Sequence, residues 1–197
     1  MLTKVTLLVL SMLLMQQPSV SAEQDIQRIA MDGWLVARGL APKGGAVNLL
    51  GPVNLRLREL DKFPNMSARY AELAIRAAIS AAQEEREEMS LLLEHARGLS
   101  DQMAIGASPA QWPLPIDELE GELWLEVDRF TEARDAYARA TKLKPSPNAW
   151  IGLARASDKL GDTAGACRAY ANAANSTKDL PTSVELEISL YNLKCKF

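Results

Sequence analysis

Residues 114–146 read LPIDELEGELWLEVDRFTEARDAYARATKLKPS, and the segment from Pro147 onward repeats the same pattern of small and aromatic residues. At an offset of 33 residues, the two segments share turn-forming residues, alanines and a tyrosine in one register. The matched pairs are Asp128 and Gly161, Ala133 and Ala166, Tyr137 and Tyr170, and Ala140 and Ala173. Self-similarity at a period of about 20–50 residues is typical of repeat proteins. The sequence therefore predicts two consecutive copies of one structural unit.

Each unit is predicted to form two helices joined by a tight turn. In the first unit, Leu119 and Leu123 lie one helical turn apart, and Asp128 marks the turn between the helices. The second helix carries Tyr137 and several alanines at spacings of three and four residues. Pro145 ends that helix, because proline lacks the backbone N–H that a helix interior requires. The second unit follows the same pattern.

These features resemble the tetratricopeptide repeat (TPR), a helix–turn–helix unit of about 34 residues. The first unit matches the pattern of that family through Gly121, Trp124, Asp128, Phe130, Ala133, Tyr137, Ala140 and Pro145. The second unit matches through Trp150, Leu153, Ala154, Gly161, Ala166, Tyr170 and Ala173, and departs from the pattern at Ser157, Thr163 and Lys178. The resemblance covers about residues 114–178. It implies a solenoid of helical hairpins whose first helices line a concave, ligand-facing surface.

We therefore expect an all-α fold, namely a short TPR-like helical-hairpin solenoid with N-terminal helices and a C-terminal capping helix. The segments are 1–22, a signal peptide; 23–65, an N-terminal helical segment with loops; 66–113, a helical pair and linker that could be a degenerate repeat; 114–146 and 147–180, the two repeats; and 181–197, the capping helix. In the capping helix, Leu186, Leu190 and Leu193 form the predicted apolar stripe that covers the last hydrophobic face. Thr182 or Ser183 is its predicted N-cap.

The first 22 residues have the pattern of a secretory signal peptide. Lys4 is the only charged residue, Val5–Met15 is an apolar run of 11 residues, and small residues precede Ala22. The run is too short to span a bilayer as a helix, which takes about 20 residues. We expect cleavage after Ala22 and export, either to a periplasm or by secretion, with no stable membrane insertion after cleavage. A retained N-terminal anchor is the alternative.

Composition excludes several classes of function. The net charge of −3 and the pI near 5.3 give no general attraction to nucleic acid. One histidine, His95, and two cysteines, Cys167 and Cys195, rule out a histidine-rich or paired-CxxC metal site. We find no phosphate-binding glycine loop and no catalytic motif, so we expect neither a cofactor nor an enzyme. In an oxidising compartment Cys167 and Cys195 could form a disulfide; two unpaired buried thiols are the alternative.

The resemblance places a set of polar side chains on the concave surface. These candidate groove residues are Glu118, Glu122 and Glu126 in the first repeat and Asn148, Ile151, Arg155, Asp158 and Lys159 in the second. Asn148, Arg155 and Lys159 have the spacing of a clamp for a peptide carboxylate, since arginine and lysine supply fixed donors. The alternative is charge compensation between neighbouring helices: residues 117–135 hold eight acids, and residues 136–178 hold seven bases.

The function expected from these features is an exported, non-catalytic interaction module, an adaptor or assembly factor, that binds a protein or peptide on the concave surface. A first alternative is an accessory subunit of one obligate complex, with Trp34, Trp112 and exposed aliphatic side chains in the interface. A more distant alternative is a helical enzyme of unrecognised type in which Cys167 and His95 form a catalytic pair.

Overall fold

The computed structural model describes residues 20–39, 50–105, 112–176 and 181–195, and these ranges contain helices and no strand. The helices are α1 (Val20–Arg38), α2 (Leu50–Leu60), α3 (Met66–Ala82), α4 (Arg86–Ile105), α5 (Ile116–Glu126), α6 (Phe130–Leu143), α7 (Pro147–Lys159), α8 (Thr163–Ser176) and α9 (Thr182–Lys194). The all-α prediction is confirmed.

The predicted signal segment falls mostly outside these ranges. Residues 20–22 form the start of α1, and residues 1–19 lie outside the part of the chain that the structure describes. Among the helices of the described ranges, none combines the length and the apolar character needed to cross a membrane.

Three of the interhelical turns have the same geometry. The turns after α3, α5 and α7 each contain one residue with positive φ, Glu84 (60°), Asp128 (58°) and Gly161 (78°) respectively. In each turn the next residue donates its backbone N–H to the carbonyl five positions earlier, over 2.8–2.9 Å. This bond is characteristic of the Schellman motif, which satisfies carbonyls that the helix end leaves free. The α3–α4 pair therefore turns in the same way as the α5–α6 and α7–α8 hairpins.

The first helices of successive hairpins pack against one another. Helix α3 contacts α1 and α5, and α5 contacts α7, while α4, α6 and α8 each pack against the first helix of their own hairpin. One hydrophobic cluster extends from Ile26 in α1 to Val127 after α5, and a second one joins α7, α8 and α9. The apolar core is thus divided between α5 and α7.

Tyr137 of α6 lies at this division and is buried, with 1% of its surface exposed. Its ring lies so close to Gly121 of α5 and Gly152 of α7 that a Cβ atom on either glycine would come within 2.6 Å and 2.1 Å of ring carbons. No methyl group fits there. The two glycines therefore allow the ring to pass between two neighbouring first helices and to join the two halves of the core.

The apolar stripe predicted for the capping helix is wrong. Leu186 and Leu190 are 60% and 58% exposed, whereas Ile188 and Tyr191 are buried. Leu193 belongs to α9, but its side chain lies outside the described set. The N-cap prediction is also wrong, because Pro181 precedes the helix and gives no side-chain cap. Polar contacts orient α9: the Tyr191 hydroxyl donates to Asp158 of α7, and Glu187 of α9 accepts from Arg155 of α7.

The glycine contacts lead to a stability prediction. We expect Gly152→Ala to destabilise the protein by about 1–3 kcal/mol or more, because the new methyl group must displace the Tyr137 ring in a packed core. Gly98→Ala is the control: Gly98 is exposed in the interior of α4, and its Cβ would meet nothing within 4 Å. That substitution should stabilise the protein by about 0.5–1 kcal/mol. Urea denaturation measures both; equal effects would contradict the packing described here.

Candidate functional site

A small cavity of about 90 Å³ opens between α5 and α7, beside the start of α9. We call it the α5–α7 pocket. Its lining consists of three apolar and five polar side chains: Leu114, Ile151, Val184, Glu118, Glu122, Tyr137, Asn148 and Arg155. Five of the eight candidate groove residues are thus brought together at one site, namely Glu118, Glu122, Asn148, Ile151 and Arg155. Glu126, Asp158 and Lys159 are not part of the lining.

Glu118 forms one wall of the pocket and is 7% exposed. Its Oε1 accepts a hydrogen bond of 2.8 Å from Ser146 Oγ, and Ser146 Oγ in turn accepts from the backbone N–H of Ala149 at the start of α7. Burial raises the pKa of Glu118, and the Ser146 hydrogen bond opposes that shift. Removing this carboxylate from water is therefore unfavourable for its charged form.

Glu122 and Glu126 face a cation from a distant part of the chain. Arg38, at the end of α1, donates from Nη1 to Glu122 over 2.7 Å and places Nε 3.6 Å from Glu126. Burial nevertheless raises the pKa of Glu126, and the charge of Arg38 acts in the opposite direction. These two carboxylates are therefore engaged in holding α1 against α5.

The other acids of α5 are paired in the same way. Asp117 and Glu120 lie between Arg97 of α4 and Arg139 of α6, at distances of 2.5–3.0 Å. The alternative of charge compensation between neighbouring helices thus describes most of this acidic stretch. Among the described residues, three cations pair with the acids of α5, and two of them, Arg38 and Arg97, come from outside the basic segment 136–178 that the sequence suggested.

The predicted carboxylate clamp is already occupied by a carboxylate of this chain. Arg155 donates from Nε and Nη2 to the two oxygens of Glu187 in α9, over 2.9 and 2.6 Å. Hydrogen bonding to Arg155 lowers the pKa of Glu187, so this pair is ionised at neutral pH. Lys159 lies over the ring of Phe130, with Nζ 5.8 Å from the ring centroid. Of the three clamp residues, Asn148 is exposed at the pocket, while Arg155 holds α9 in place.

Tyr137 brings a buried hydroxyl to the pocket. Within the described ranges this oxygen makes no hydrogen bond of normal geometry, although Glu122 is near enough to act on it. Burial is the main cause that raises the pKa of Tyr137, and the negative charge of Glu122 adds to it. The equivalent tyrosine of the next repeat, Tyr170, donates instead to Glu187 over 2.5 Å. Two tyrosines in the same register thus differ in the geometry of their hydroxyl contacts, since Tyr170 makes a normal hydrogen bond and Tyr137, beside Glu122, makes none among the described residues.

Sequence reasoning treated Tyr137 as a packing residue and did not include Leu114 or Val184 in the groove. Gly152 was the available signal for Tyr137, because a glycine inside a helix, beside Gly121 of the neighbouring helix, indicates close approach of a large side chain. No comparable signal exists for Val184, whose position depends on how α9 rotates against α7 and α8.

The two cysteines lie on α8 and directly after α9. The sulfur atoms of Cys167 and Cys195 are 2.02 Å apart, and the bridge closes a loop with a sequence separation of 28. On the chain-entropy account, a loop of this length stabilises a fold by roughly 3–4 kcal/mol. The bridge and the Arg155–Glu187 pair therefore both hold α9 beside the pocket. In this bonded state, Cys167 has no thiol to act as a nucleophile.

His95 lies elsewhere, exposed on α4, in an open groove of about 420 Å³ that it shares with Arg69 and Leu99. A second open groove, of about 560 Å³, continues from Arg69 and Leu99 toward Phe63. Among the residues with described positions, no group of three or more histidine, cysteine, aspartate or glutamate side chains could hold a metal ion.

Comparisons with known proteins found no match to this chain among protein-family models, curated proteins or solved structures.

The contrast between the two tyrosines can be tested directly. We expect Tyr137→Phe to leave the free energy of unfolding unchanged or to raise it by up to about 1 kcal/mol, since the lost hydroxyl is buried without a hydrogen bond. Tyr170→Phe should lower that free energy by about 1–2 kcal/mol, because it removes a bond to the charged Glu187. Chemical denaturation of both variants measures the difference. Equal losses would mean that the Tyr137 hydroxyl has a partner.

Proposed function

We propose that this protein is an exported, non-catalytic interaction module, an adaptor or assembly factor, that binds a peptide or protein at the α5–α7 pocket. The observation that carries the proposal is the buried Tyr137 hydroxyl, which makes no hydrogen bond of normal geometry within the described residues and belongs to a side chain that lines a cavity together with Glu118 and Asn148. A buried polar group without a partner is rare in folded proteins and costs stability. A ligand that completes its hydrogen bonds would recover that cost.

The TPR-like register supports the same site. In a solenoid of helical hairpins, the first helices form the surface that ligands contact. Here α5 and α7 are the first helices of the two repeats, and the pocket lies between them. Gly121 and Gly152 let Tyr137 reach this surface from the second helix α6.

Export is proposed from the N-terminal segment, whose short apolar run and small residues before Ala22 have the pattern of a signal peptide. A bond between Cys167 and Cys195 agrees with an oxidising compartment such as a periplasm or the exterior of the cell. The net charge of −3 agrees with a protein or peptide partner and gives no support to a nucleic-acid partner.

An accessory subunit of one obligate complex is the second candidate. Leu186 and Leu190 lie one turn apart on α9, and more than half of each is exposed, which is unusual for large aliphatic side chains of a terminal helix. The tryptophans expected in such an interface do not support it: Trp34 is 5% exposed, and Trp112 packs partly buried against the chain's own core. This candidate therefore depends on exposed leucines, among which the α9 pair lies on one helix face.

A peptide-display selection on the immobilised protein tests the first candidate, with enriched peptides titrated against two matched variants. Asn148→Arg introduces a long cationic side chain at the rim of the pocket, where it can fill the cavity beside Glu118. Asn172→Arg makes the same change on an exposed position of α8, away from the pocket. We expect wild type and Asn172→Arg to bind equally, and Asn148→Arg to bind at least about tenfold more weakly.

Equal binding by all three proteins, or a selection without saturable binders, would contradict the proposal. The accessory-subunit candidate gives a different result with the protein purified from its native host. A copurifying partner that is lost in Leu186→Ser/Leu190→Ser but retained in Asn148→Arg would assign the interaction to α9 and not to the pocket.

A further inference from the structure

Three of the polar side chains that line the α5–α7 pocket carry oxygen atoms that can accept a hydrogen bond. They are the Glu118 carboxylate, the Tyr137 hydroxyl oxygen and the side-chain carbonyl of Asn148. Tyr137 is 1% exposed and its oxygen lacks a hydrogen bond within the described ranges, while Glu118 is 7% exposed and accepts from Ser146 at one oxygen only. One oxygen of Glu118 can thus accept from a ligand group in this cavity, and the Tyr137 oxygen can do so when its own hydrogen is directed to the nearby Glu122.

The charges around the pocket are not balanced. Arg155 is paired with Glu187 and Arg38 with Glu122, so each of these cations faces a carboxylate that is not Glu118. In the part of the chain that the structure describes, Glu118 forms no ion pair within 4 Å. The positive charge of Lys144 stabilises the Glu118 carboxylate only from a greater distance. The Glu118 carboxylate is therefore a negative charge that a bound cation would balance.

We propose that the α5–α7 pocket binds a primary ammonium group of the peptide partner, either a lysine side chain or a free chain N-terminus. This inference rests on the proposed function and adds the chemistry of the ligand. An ammonium group has three N–H donors and no acceptor, which matches three separate oxygen acceptors. A guanidinium group is a planar fork that suits the paired oxygens of one carboxylate, the arrangement already present between Arg155 and Glu187.

Size and solvation agree with this assignment. A cavity of about 90 Å³ exceeds the space for a single water and admits a group of a few heavy atoms. Burial raises the pKa of Glu118, which means that removal from water disfavours its charged form. A bound cation stabilises that form, and the apolar wall of Leu114, Ile151 and Val184 can contact the methylene groups that carry the cation.

The test uses short blocked peptides that differ in one group. The probes are Ac-Ala-Lys-Ala-NH2, the same peptide with norleucine or arginine in place of lysine, Ala-Ala-Ala-NH2 with a free amine, and Ac-Ala-Ala-Ala-NH2. Amide chemical shifts of Gly121 and Gly152, the residues on either side of Tyr137, report occupancy during titration. We expect saturable shifts with at least one amine-bearing probe, lysine or free N-terminus. The norleucine, arginine and fully blocked alanine probes should bind at least tenfold more weakly.

Two variants with retained packing assign the contacts. Glu118→Gln keeps an acceptor for Ser146 and removes the charge, and Tyr137→Phe keeps the ring between the glycines and removes the hydroxyl. We expect at least tenfold weaker amine binding for the first and several-fold weaker binding for the second, with unfolding transitions no lower than that of wild type. Asn172→Arg is the control that should bind as wild type does.

Equal affinity for the lysine, norleucine and arginine probes, no binding of either amine probe, or unchanged affinity in Glu118→Gln would overturn the amine assignment. The two proposals can fail separately. A selected peptide whose binding is lost in Asn148→Arg, but that carries no free amine and ignores Glu118→Gln, would retain the pocket as the binding site and exclude the ammonium group as its ligand.

Discussion

The passage of the Tyr137 ring between Gly121 and Gly152 is the contact on which the rest of this structure depends. The ring lies between the hydrophobic cluster of α1–α5 and that of α7–α9. The same contact brings a hydroxyl group from a second helix to the surface formed by the first helices. Packing and site formation thus have one cause, and neither glycine can be replaced without affecting both.

Ion pairs within the chain determine which polar side chains at that surface remain available to a ligand. Three arginines approach α5 from three different helices: Arg38, Arg97 and Arg139. Within the described ranges, they pair with every acidic side chain of α5 except Glu118. Partly buried pairs of this kind contribute little net stability, but removing one partner leaves a charge uncompensated, so they help to fix the register of the helices. Arg155 and Glu187 do the same for α9. What is left for a ligand, among the described residues, is the Glu118 carboxylate beside the Tyr137 hydroxyl, which makes no hydrogen bond of normal geometry.

Local periodicity predicted much of the fold and part of the site. The 33-residue repeat gave both hairpins and the turn at Gly161, whose φ is positive. The resemblance to the TPR pattern gave Glu118, Glu122, Asn148 and Arg155 as neighbours. The periodicity did not predict the features that depend on contacts between residues far apart in the sequence. The face that α9 buries is set by Asp158, Arg155 and the Cys195 bridge on its neighbours, not by the leucines of the helix itself. The partner of Arg155 lies 32 residues away, and no spacing rule within one repeat could identify it.

The position of the Tyr137 ring between α5 and α7 is tested most directly by the nuclear Overhauser contacts of its ring protons in solution. We predict contacts from the ring protons to the Hα protons of both Gly121 and Gly152, because both glycines lie so close to the ring that a methyl group at either position would overlap it. Contacts to only one glycine, or to neither, would show that the ring does not lie between α5 and α7. The joined core and the pocket argued from it would then both be wrong.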